Sequence, residues 1–126
     1  MRIEKVTFTE QEAKFLKDST LARIATASSS GQPHVVPISF EFDGKYFYFG
    51  GYNLTKSLKF RNIQRNSKVA LVVDDLLSTD PWRVRGIEVR GTAEIVSQKS
   101  KGDVYIKIVP IVKRSWGSFR NQQVSR

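Results

Sequence analysis

The sequence predicts a mostly β fold in which antiparallel strands close into a barrel. Six short apolar or alternating runs have the length of strands, and only two segments have a helical pattern. Short, turn-rich links join neighbouring strands, as in antiparallel barrels. The order lacks the strand–helix alternation and the G-x-G-x-x-G motif of a dinucleotide-binding fold. With 126 residues, 40% of them hydrophobic, the chain is predicted to form one domain, residues 1–126.

The first helix is predicted from its capping residues. Thr9 is a candidate N-cap, and Glu12, three residues later, completes a capping box with it. The apolar face of the helix then comes from Ala13, Phe15 and Leu16. These signals together predict a short amphipathic helix directly after Thr9.

Three strands are predicted after this helix. Residues 21–27 alternate in polarity and end in a cluster of serine, glycine and proline, which is typical of a turn. Residues 34–42 form the second run. Pro37 inside this run predicts an edge position or a bulge, because proline cannot donate a ladder hydrogen bond. Asp43-Gly44 is a strong hairpin signal, so residues 45–49 are expected to return as the third strand.

The second helix is predicted at residues 55–66, after Gly50-Gly51 breaks the preceding strand. Leu58 and Ile63 are expected to face the core, with basic residues on the remaining faces. This segment therefore predicts a basic helix that follows directly on a glycine-rich turn.

Three further strands complete the predicted fold, at residues 68–73, 83–96 and 105–113. The first is almost continuously apolar, which fits a buried position. Gly86 and Gly91 lie within the second and are typical of bends or bulges. Pro110 interrupts the third in the same way that Pro37 interrupts an earlier strand.

Composition excludes several classes of site. The chain has no cysteine and one histidine, His34, so disulfides, thiolate metal sites and histidine clusters are excluded. The N-terminus is charged and lacks the apolar core of a signal peptide. No run approaches the roughly 18 apolar residues of a membrane span. A cytoplasmic location without membrane attachment is therefore expected.

The charge of the chain favours anionic partners. The formal net charge is +9, which suits a phosphorylated small molecule, nucleic acid or lipid headgroups, and equally suits a solvated surface rich in lysine and arginine. A lone histidine in or beside a strand is more often a structural residue than a catalytic base. The pair Asp74-Asp75 is more often solvated than catalytic. No arrangement for acid–base or nucleophilic catalysis stands out.

The segment from Gly50 to Arg61 is the best candidate for a binding site. Free N–H groups at a helix N-terminus, together with the helix dipole, form a site for an anion. Lys56 and Lys59 are three residues apart, so they share one face of the predicted helix and can both reach a single phosphate. Spacing alone is more often that of a basic, solvated helix.

Several motifs in order resemble the pyridoxamine 5′-phosphate oxidase-like, FMN-binding split-barrel superfamily. Residues 59–69 resemble its K-x-R-N-[LI]-x-x-[DN]-P-x-V pattern. Residues 20–26 resemble its first strand, and Asp43-Gly44 its first hairpin. Residues 89–96 resemble its G-x-A-E-I strand, and residues 114–117 its C-terminal tryptophan segment. The resemblance is greatest to the short members that bind FMN or the deazaflavin F420, and it implies a six-stranded antiparallel split β-barrel with two short helices.

The resemblance also implies a set of cofactor-binding residues. Lys59 corresponds to the lysine that binds the flavin phosphate, and Ser57 and Lys56 would support it. In this family the flavin lies in a groove between two subunits of a homodimer, to which Trp116 of the partner would contribute. The strand that lies along the isoalloxazine ring would contain Val36, Pro37, Ile38 and Ser39. Gly50 and Gly51 would let the chain pass close to the cofactor.

Departures from the family pattern restrict the expected reaction. Ser67 stands where the family usually has proline, and Gly86 replaces a side chain that helps the true oxidases hold the flavin. Those oxidases also carry an Arg-x-His substrate motif near the C-terminus, whereas this chain has no histidine after His34. Oxidation of vitamin B6 is therefore not expected.

Three functional hypotheses remain open from the sequence. The first is an oxidoreductase that uses FMN, or alternatively F420, on an unknown small molecule, since the cofactor supplies the chemistry that the side chains lack. The second is a non-enzymatic flavin carrier or sensor. The third and least favoured is a nucleic-acid-binding protein, suggested by the charge, the basic helix, Trp82 and Trp116. A homodimer is expected in the first two cases.

Overall fold

The computed structural model describes residues 6–98, 103–117 and 119. It confirms a mostly β fold with an antiparallel sheet and two α-helices within those residues. Its elements are α1 Glu10–Asp18, β1 Leu21–Ala27, β2 Pro33–Ser39, β3 Glu41–Phe42, β4 Phe47–Phe49, a 3-10 turn Leu54–Lys56, α2 Leu58–Arg65, β5 Lys68–Thr79, β6 Trp82–Gln98 and β7 Asp103–Trp116.

The described strands form one curled sheet with the order β2-β1-β5-β6-β7-β4-β3. Its two edge strands, β2 and β3, are consecutive in the chain and are separated only by Phe40. The sheet therefore has to curl until its edges approach each other. The predicted count of six strands is wrong by one, because residues 34–42 divide at Phe40, whose N–H donates to the carbonyl of Thr20 at 3.1 Å.

The core fills the concave side of the curled sheet. One side of each long strand is buried and the other is solvated, as the alternating burial of β1 and β5 demonstrates. Helix α1 closes one end of the core through Phe15 and Leu16. The most completely buried side chains are Phe47, Leu16, Ile24, Ile87, Ile106, Ile108, Val73 and Val89.

Helix α1 begins as the sequence predicts. The Thr9 hydroxyl accepts the Glu12 N–H at 3.1 Å, and the Glu12 carboxylate accepts the Thr9 N–H at 2.9 Å, so the capping box is confirmed. The same buried carboxylate accepts a hydrogen bond from Lys113 Nζ at 2.7 Å. One side chain thus caps the helix and ties it to β7.

The second helix is shorter than residues 55–66. Its N-cap is Ser57, whose hydroxyl accepts the Phe60 N–H at 3.2 Å, and residues before it form a separate 3-10 turn. Phe60 and Ile63 are buried, whereas Leu58 is 45% exposed, so the prediction that Leu58 faces the core is wrong.

The glycine and proline signals correspond to real irregularities. Pro37 lies on the edge strand β2, as predicted. The pairing of β6 with β7 shifts register between Arg90 and Gly91, opposite Pro110. A Cβ on Gly91 would lie 2.0 Å from the carbonyl oxygen of Val109, so only glycine permits this close approach. The last three strands are longer than predicted. β5 extends further at its end, and β6 and β7 extend further at both ends.

None of the helices in the described part of the chain is long and apolar enough to cross a membrane.

Candidate functional site

A cleft of about 700 Å³ opens where the edge strand β2 approaches β4 and the start of α2. Its volume lies within the roughly 300–1,000 Å³ that is usual for small-molecule sites. Its walls combine aromatic rings, exposed backbone and a few polar groups. The lining residues are Pro37, Ile38, Ser39, Phe40, Glu41, Tyr48, Phe49, Gly50, Gly51, Tyr52, Lys59 and Tyr105.

Six of the ten residues predicted to bind a cofactor lie together in this cleft. Three come from the end of β2, two from the glycine turn after β4, and one from the first turn of α2. Because β2 pairs only with β1, one side of its backbone is free of sheet partners within the described structure. These six residues are Pro37, Ile38, Ser39, Gly50, Gly51 and Lys59.

Lys59 is the cationic side chain of the cleft. It lies in the first turn of α2, where the helix dipole is positive and N–H groups lack helical partners. Among the ion pairs between described residues, none involves Lys59. Lys59 is half-buried at a helix N-terminus and forms no ion pair with a described carboxylate, so it is suited to an anion. Glu41 is the acidic residue that lines the same cleft.

Ser57 and Lys56 do not line the cleft in the described structure. The Ser57 hydroxyl donates to the Leu54 carbonyl at 2.6 Å and accepts the Phe60 N–H, so its hydrogen-bonding capacity serves the helix cap. Lys56 ends the 3-10 turn and is exposed. Their support of a phosphate remains a prediction, whereas the role of Ser57 in beginning α2 is visible.

Val36 and Trp116 also lie outside the cleft of the single chain. Val36 is half-buried and packs against the core. Trp116 ends β7 opposite Gly86, on the convex side of the sheet, and is 40% exposed. The expectation for Trp116 concerns a partner subunit, and it remains a prediction.

The glycine turn shapes one wall of the cleft. Gly51 has φ of +120°, a conformation that L side chains rarely adopt, so glycine is required there. A Cβ on Gly50 would only reach ordinary contact, 3.8 Å from the Cβ of Tyr105. The absence of both side chains leaves backbone exposed to the cleft.

The sequence analysis missed the aromatic wall of the cleft, which consists of Tyr48, Tyr52 and Tyr105. Tyr48 lies opposite Lys107 on β7, so Tyr105 is its diagonal neighbour, and the two tyrosine rings are 6.1 Å apart between centroids. Alternation along β4 and β7 places both rings on one face. Only the register between the two strands reveals that they meet.

The Tyr48 hydroxyl is held by the hairpin between β3 and β4. It donates to Asp43 Oδ2 at 2.8 Å, while Asp43 Oδ1 accepts the N–H groups of Lys45 and Tyr46. Partial desolvation and this hydrogen bond to a carboxylate raise the pKa of Tyr48 to about 12. Burial alone would raise the pKa of Asp43, but the donated hydrogen bonds outweigh it and lower that pKa below its ordinary value. The Tyr48 side chain is therefore a fixed, protonated part of the cleft wall.

Asn62 is a second residue whose position the sequence analysis missed, although it belongs to the K-x-R-N pattern. It is buried, and its Nδ2 donates to the Thr26 hydroxyl on β1 at 3.0 Å. This bond joins the buried face of α2 to the sheet one turn after Lys59. Asn62 therefore sets the position of the helix that carries the cleft's cation.

The remaining polar groups of the described residues form no cluster typical of a metal centre. The described residues contain no group of three metal-binding side chains. His34 lies in β2 with a buried Nδ1 atom that has no hydrogen-bond partner among them, and it does not line the cleft. The cleft offers Lys59, Glu41, exposed backbone and aromatic rings, a combination that suits the binding of a small molecule.

The curled antiparallel sheet with two short helices defines the split-barrel class of protein. The chain belongs to the pyridoxamine 5′-phosphate oxidase family, because the sequence model of that family matches residues 8–123. The resemblance inferred from the motifs is confirmed. The cleft is the candidate site of this family member because it contains Lys59 and the three tyrosines.

A curated relative belongs to Streptomyces rimosus subsp. rimosus and is named a 5a,11a-dehydrotetracycline/5a,11a-dehydrooxytetracycline reductase. It is 36% identical over 118 residues, which cover 87% of this chain and 83% of the relative. The identity and coverage support membership of a family that includes oxidoreductases.

Solved structures agree on the fold. A conserved hypothetical protein of Mycobacterium tuberculosis matches with a TM-score of 0.74 and 23% identity. The match covers 100% of this chain and 95% of the chain of that protein. A structure described as an F420 reductase has a TM-score of 0.69 and 27% identity, covering 85% and 98% respectively. A flavin-type cofactor is thus found among the structural relatives.

Proposed function

We propose that this protein is an oxidoreductase that holds FMN, or alternatively F420, in the cleft and uses it on a small organic substrate. The observation that carries the proposal is the position of Lys59 at the N-terminus of α2, in a cleft bounded by the β2 edge and the glycine turn. The relatives named as reductases support the reaction class.

The residues present fit such a cofactor. FMN and F420 both carry a planar tricyclic ring system and a sugar-alcohol chain with a phosphate. Lys59 and the free N–H groups of α2 would bind the phosphate. The backbone of Ile38 and Ser39 on the free edge of β2 would hydrogen-bond the polar edge of the ring, and Gly50 and Gly51 would leave room for its approach.

The bound cofactor would supply hydride transfer, which the side chains of the cleft do not provide. Lys59 would hold the anionic end and fix the orientation of the ring. The aromatic wall would exclude water from one side of the site. The proton on Tyr48 stays on its oxygen at neutral pH, because its pKa is raised to about 12.

A homodimer is part of the proposal. Register places Val35, Ala25, Ala70 and Val112 in one row across the convex face of the sheet, with Arg90 between the last two. A shallow, mostly apolar groove of about 450 Å³ lies on the same face. A second copy packed on this row would cover apolar side chains that the single chain leaves exposed.

The first experiment measures cofactor uptake. Titration of the purified protein with FMN and with F420, followed by absorbance and fluorescence, gives a Kd for each. Lys59→Ala is expected to raise the Kd of the preferred cofactor at least tenfold, since one charge-assisted phosphate contact contributes about 1.5–3 kcal/mol. Lys59→Arg is expected to retain most of the affinity.

Arg65→Ala is the matched control, because Arg65 is a basic residue at the other end of α2 and does not line the cleft. It should leave both Kd values within about twofold of the parent. Equal uptake of both cofactors by Lys59→Ala and by the parent would overturn the proposed site.

A second measurement separates an enzyme from a carrier. The loaded protein is reduced and mixed anaerobically with candidate acceptors, and reoxidation of the cofactor is followed by its absorbance. Reoxidation that depends on one acceptor and saturates with its concentration supports the oxidoreductase. Tight uptake of a cofactor without any such acceptor would favour the carrier or sensor instead.

A further inference from the structure

Tyr52 is the exposed aromatic residue of the cleft, and it forms no aromatic pair with another described residue. It lines the cleft and yet is 96% exposed, whereas Tyr48 and Tyr105, the other two tyrosines that line it, are half-buried. Single exposed apolar residues are common on protein surfaces. An aromatic ring that borders a preformed cleft and has no packing partner in it is different, because it presents a free flat face to whatever enters.

The backbone holds Tyr52 in this place. Gly51 before it and Asn53 after it both have positive φ, +120° and 59° respectively. The Leu54 N–H donates to the Gly51 carbonyl at 3.2 Å, and the Leu54 side chain is buried. The turn is therefore anchored on both sides, and it presents the Tyr52 side chain outward beside the cleft.

We propose that Tyr52 binds the substrate, and that it favours planar conjugated molecules by stacking on them while they lie against the cofactor ring. This inference rests on the proposed function and adds the substrate class and a residue that selects it. Within the aromatic wall, Tyr52 is the side chain that can adapt, because Tyr48 is fixed by Asp43 and packs edge-on to Tyr105.

The phenol ring suits this role physically. Stacked or edge-to-face aromatic pairs gain affinity beyond the area that they bury, and a flat substrate offers the larger contact. A saturated ring of similar size cannot stack in this way. Tyr52 should therefore discriminate between planar and non-planar acceptors without taking part in electron or proton transfer.

The test uses the protein loaded with the oxidised cofactor that it prefers. Anthraquinone-2-sulfonate is the planar probe, and cyclohexanesulfonate, a saturated ring with the same anionic group, is the non-planar one. Binding is read from the perturbation of the cofactor's visible absorbance. Tyr52→Ala is expected to raise the Kd of the planar probe roughly three- to tenfold. Tyr52→Phe should keep the parental Kd, because it retains the ring.

Two further readings make the test specific. Tyr52→Ala should leave the Kd of the cofactor and of cyclohexanesulfonate within about twofold of the parent. The control Thr55→Ala changes an exposed residue next to the same turn that does not line the cleft, and it should change no Kd.

The outcomes are distinguishable. A planar-probe Kd that is unchanged in Tyr52→Ala, or a parent that does not bind the planar probe, overturns the inference while leaving the proposed function intact. An equal loss of cofactor affinity assigns Tyr52 to the cofactor and also overturns it. Failure of the parent to take up either cofactor would refute the proposed function first, before any variant is compared.

Discussion

The indole of Trp116 lies directly on the backbone of Gly86, its pairing partner across strands β6 and β7. A Cβ built on Gly86 would be 2.4 Å from Cζ2 of the indole, far inside contact distance. Gly86 therefore provides the space in which Trp116 rests, and the aromatic ring covers a strand position that would otherwise expose backbone. This pair ties the end of β7 to the sheet.

We expect Gly86→Ala to displace the indole rather than to unfold the protein. The ring is 40% exposed and can turn away from the added methyl group at a cost of about 1–2 kcal/mol. In a Trp82→Phe background, the emission of Trp116 should shift to longer wavelength. Chemical denaturation measures the change in the free energy of unfolding.

The same pair can be tested by a double-mutant cycle. If the cost of Gly86→Ala comes from the indole, it should largely disappear in a Trp116→Ala background. An equal cost with and without the indole would show that the contact does not explain the glycine. If Trp116 also contributes to a flavin groove between subunits, Gly86→Ala should weaken cofactor binding as well.

Asn62→Ala should affect both stability and cofactor binding. The change removes the buried hydrogen bond to Thr26, and we expect a loss of about 1–2 kcal/mol in the free energy of unfolding. Because this bond positions α2, the Kd of the cofactor should also rise several-fold although Asn62 does not line the cleft. Gln64→Ala, an exposed amide on the same helix, is the control. Unchanged cofactor affinity in a destabilised Asn62→Ala protein would contradict the positioning role.

The pairing of Glu12 with Lys113 predicts a loss of stability in acid. Burial by itself raises the pKa of Glu12, but hydrogen bonds from Lys113, Thr9 and Ser115 and the charge of Lys113 outweigh it, so the pKa lies below the ordinary value of 4.5. The unfolded state then binds more protons in this range. Stability from this group is complete above about pH 4.5 and is lost as the pH falls through the folded-state pKa.

Denaturation curves at several pH values test this prediction. Glu12→Gln should be less stable than the parent at pH 7 by about 3 kcal/mol, because it leaves Lys113 without its carboxylate partner, and its stability should fall less steeply below pH 4.5. Glu10→Gln, on the exposed side of the same helix, should keep the parental profile. A profile for Glu12→Gln parallel to that of the parent would contradict the assignment.

The proposed dimer face can be tested with charge. Ile111→Lys/Val112→Lys places two cations on the apolar groove of the convex face, and both residues are exposed in the single chain, so the fold should tolerate them. Size-exclusion chromatography with light scattering should give a dimer for the parent and a monomer for this variant. The control Thr7→Lys/Gln64→Lys adds the same charge at exposed positions elsewhere. A parental monomer that retains a flavin would refute the dimer.

Local chemistry determined the parts of the fold that the sequence predicts well. Thr9 and Glu12 lie close enough in the chain to form their capping box without help from the rest of the molecule. Asp43-Gly44 closes its hairpin for the same reason, with Gly44 at φ of +103°. Pro37 requires an edge position or a bulge wherever the sheet forms. These signals involve residues at most a few positions apart.

The helix register needed more than local pattern. Periodicity alone placed Leu58 in the core, but the cap at Ser57 and the buried bond from Asn62 to Thr26 turn the helix so that Phe60 is buried instead. A buried asparagine is favourable only when its amide has a hydrogen-bond partner, so its burial can be predicted only when that partner is known. That partner lies 36 residues away in the chain.

From its residues alone, the chain determined the class of fold, the order of its elements and the lysine most suited to an anion. Only the tertiary structure decided which side chains surround that lysine. Tyr48, Tyr52 and Tyr105 meet in one cleft because strand pairing and curling of the sheet bring distant segments together. Such contacts depend on register between strands, which short-range sequence patterns do not encode.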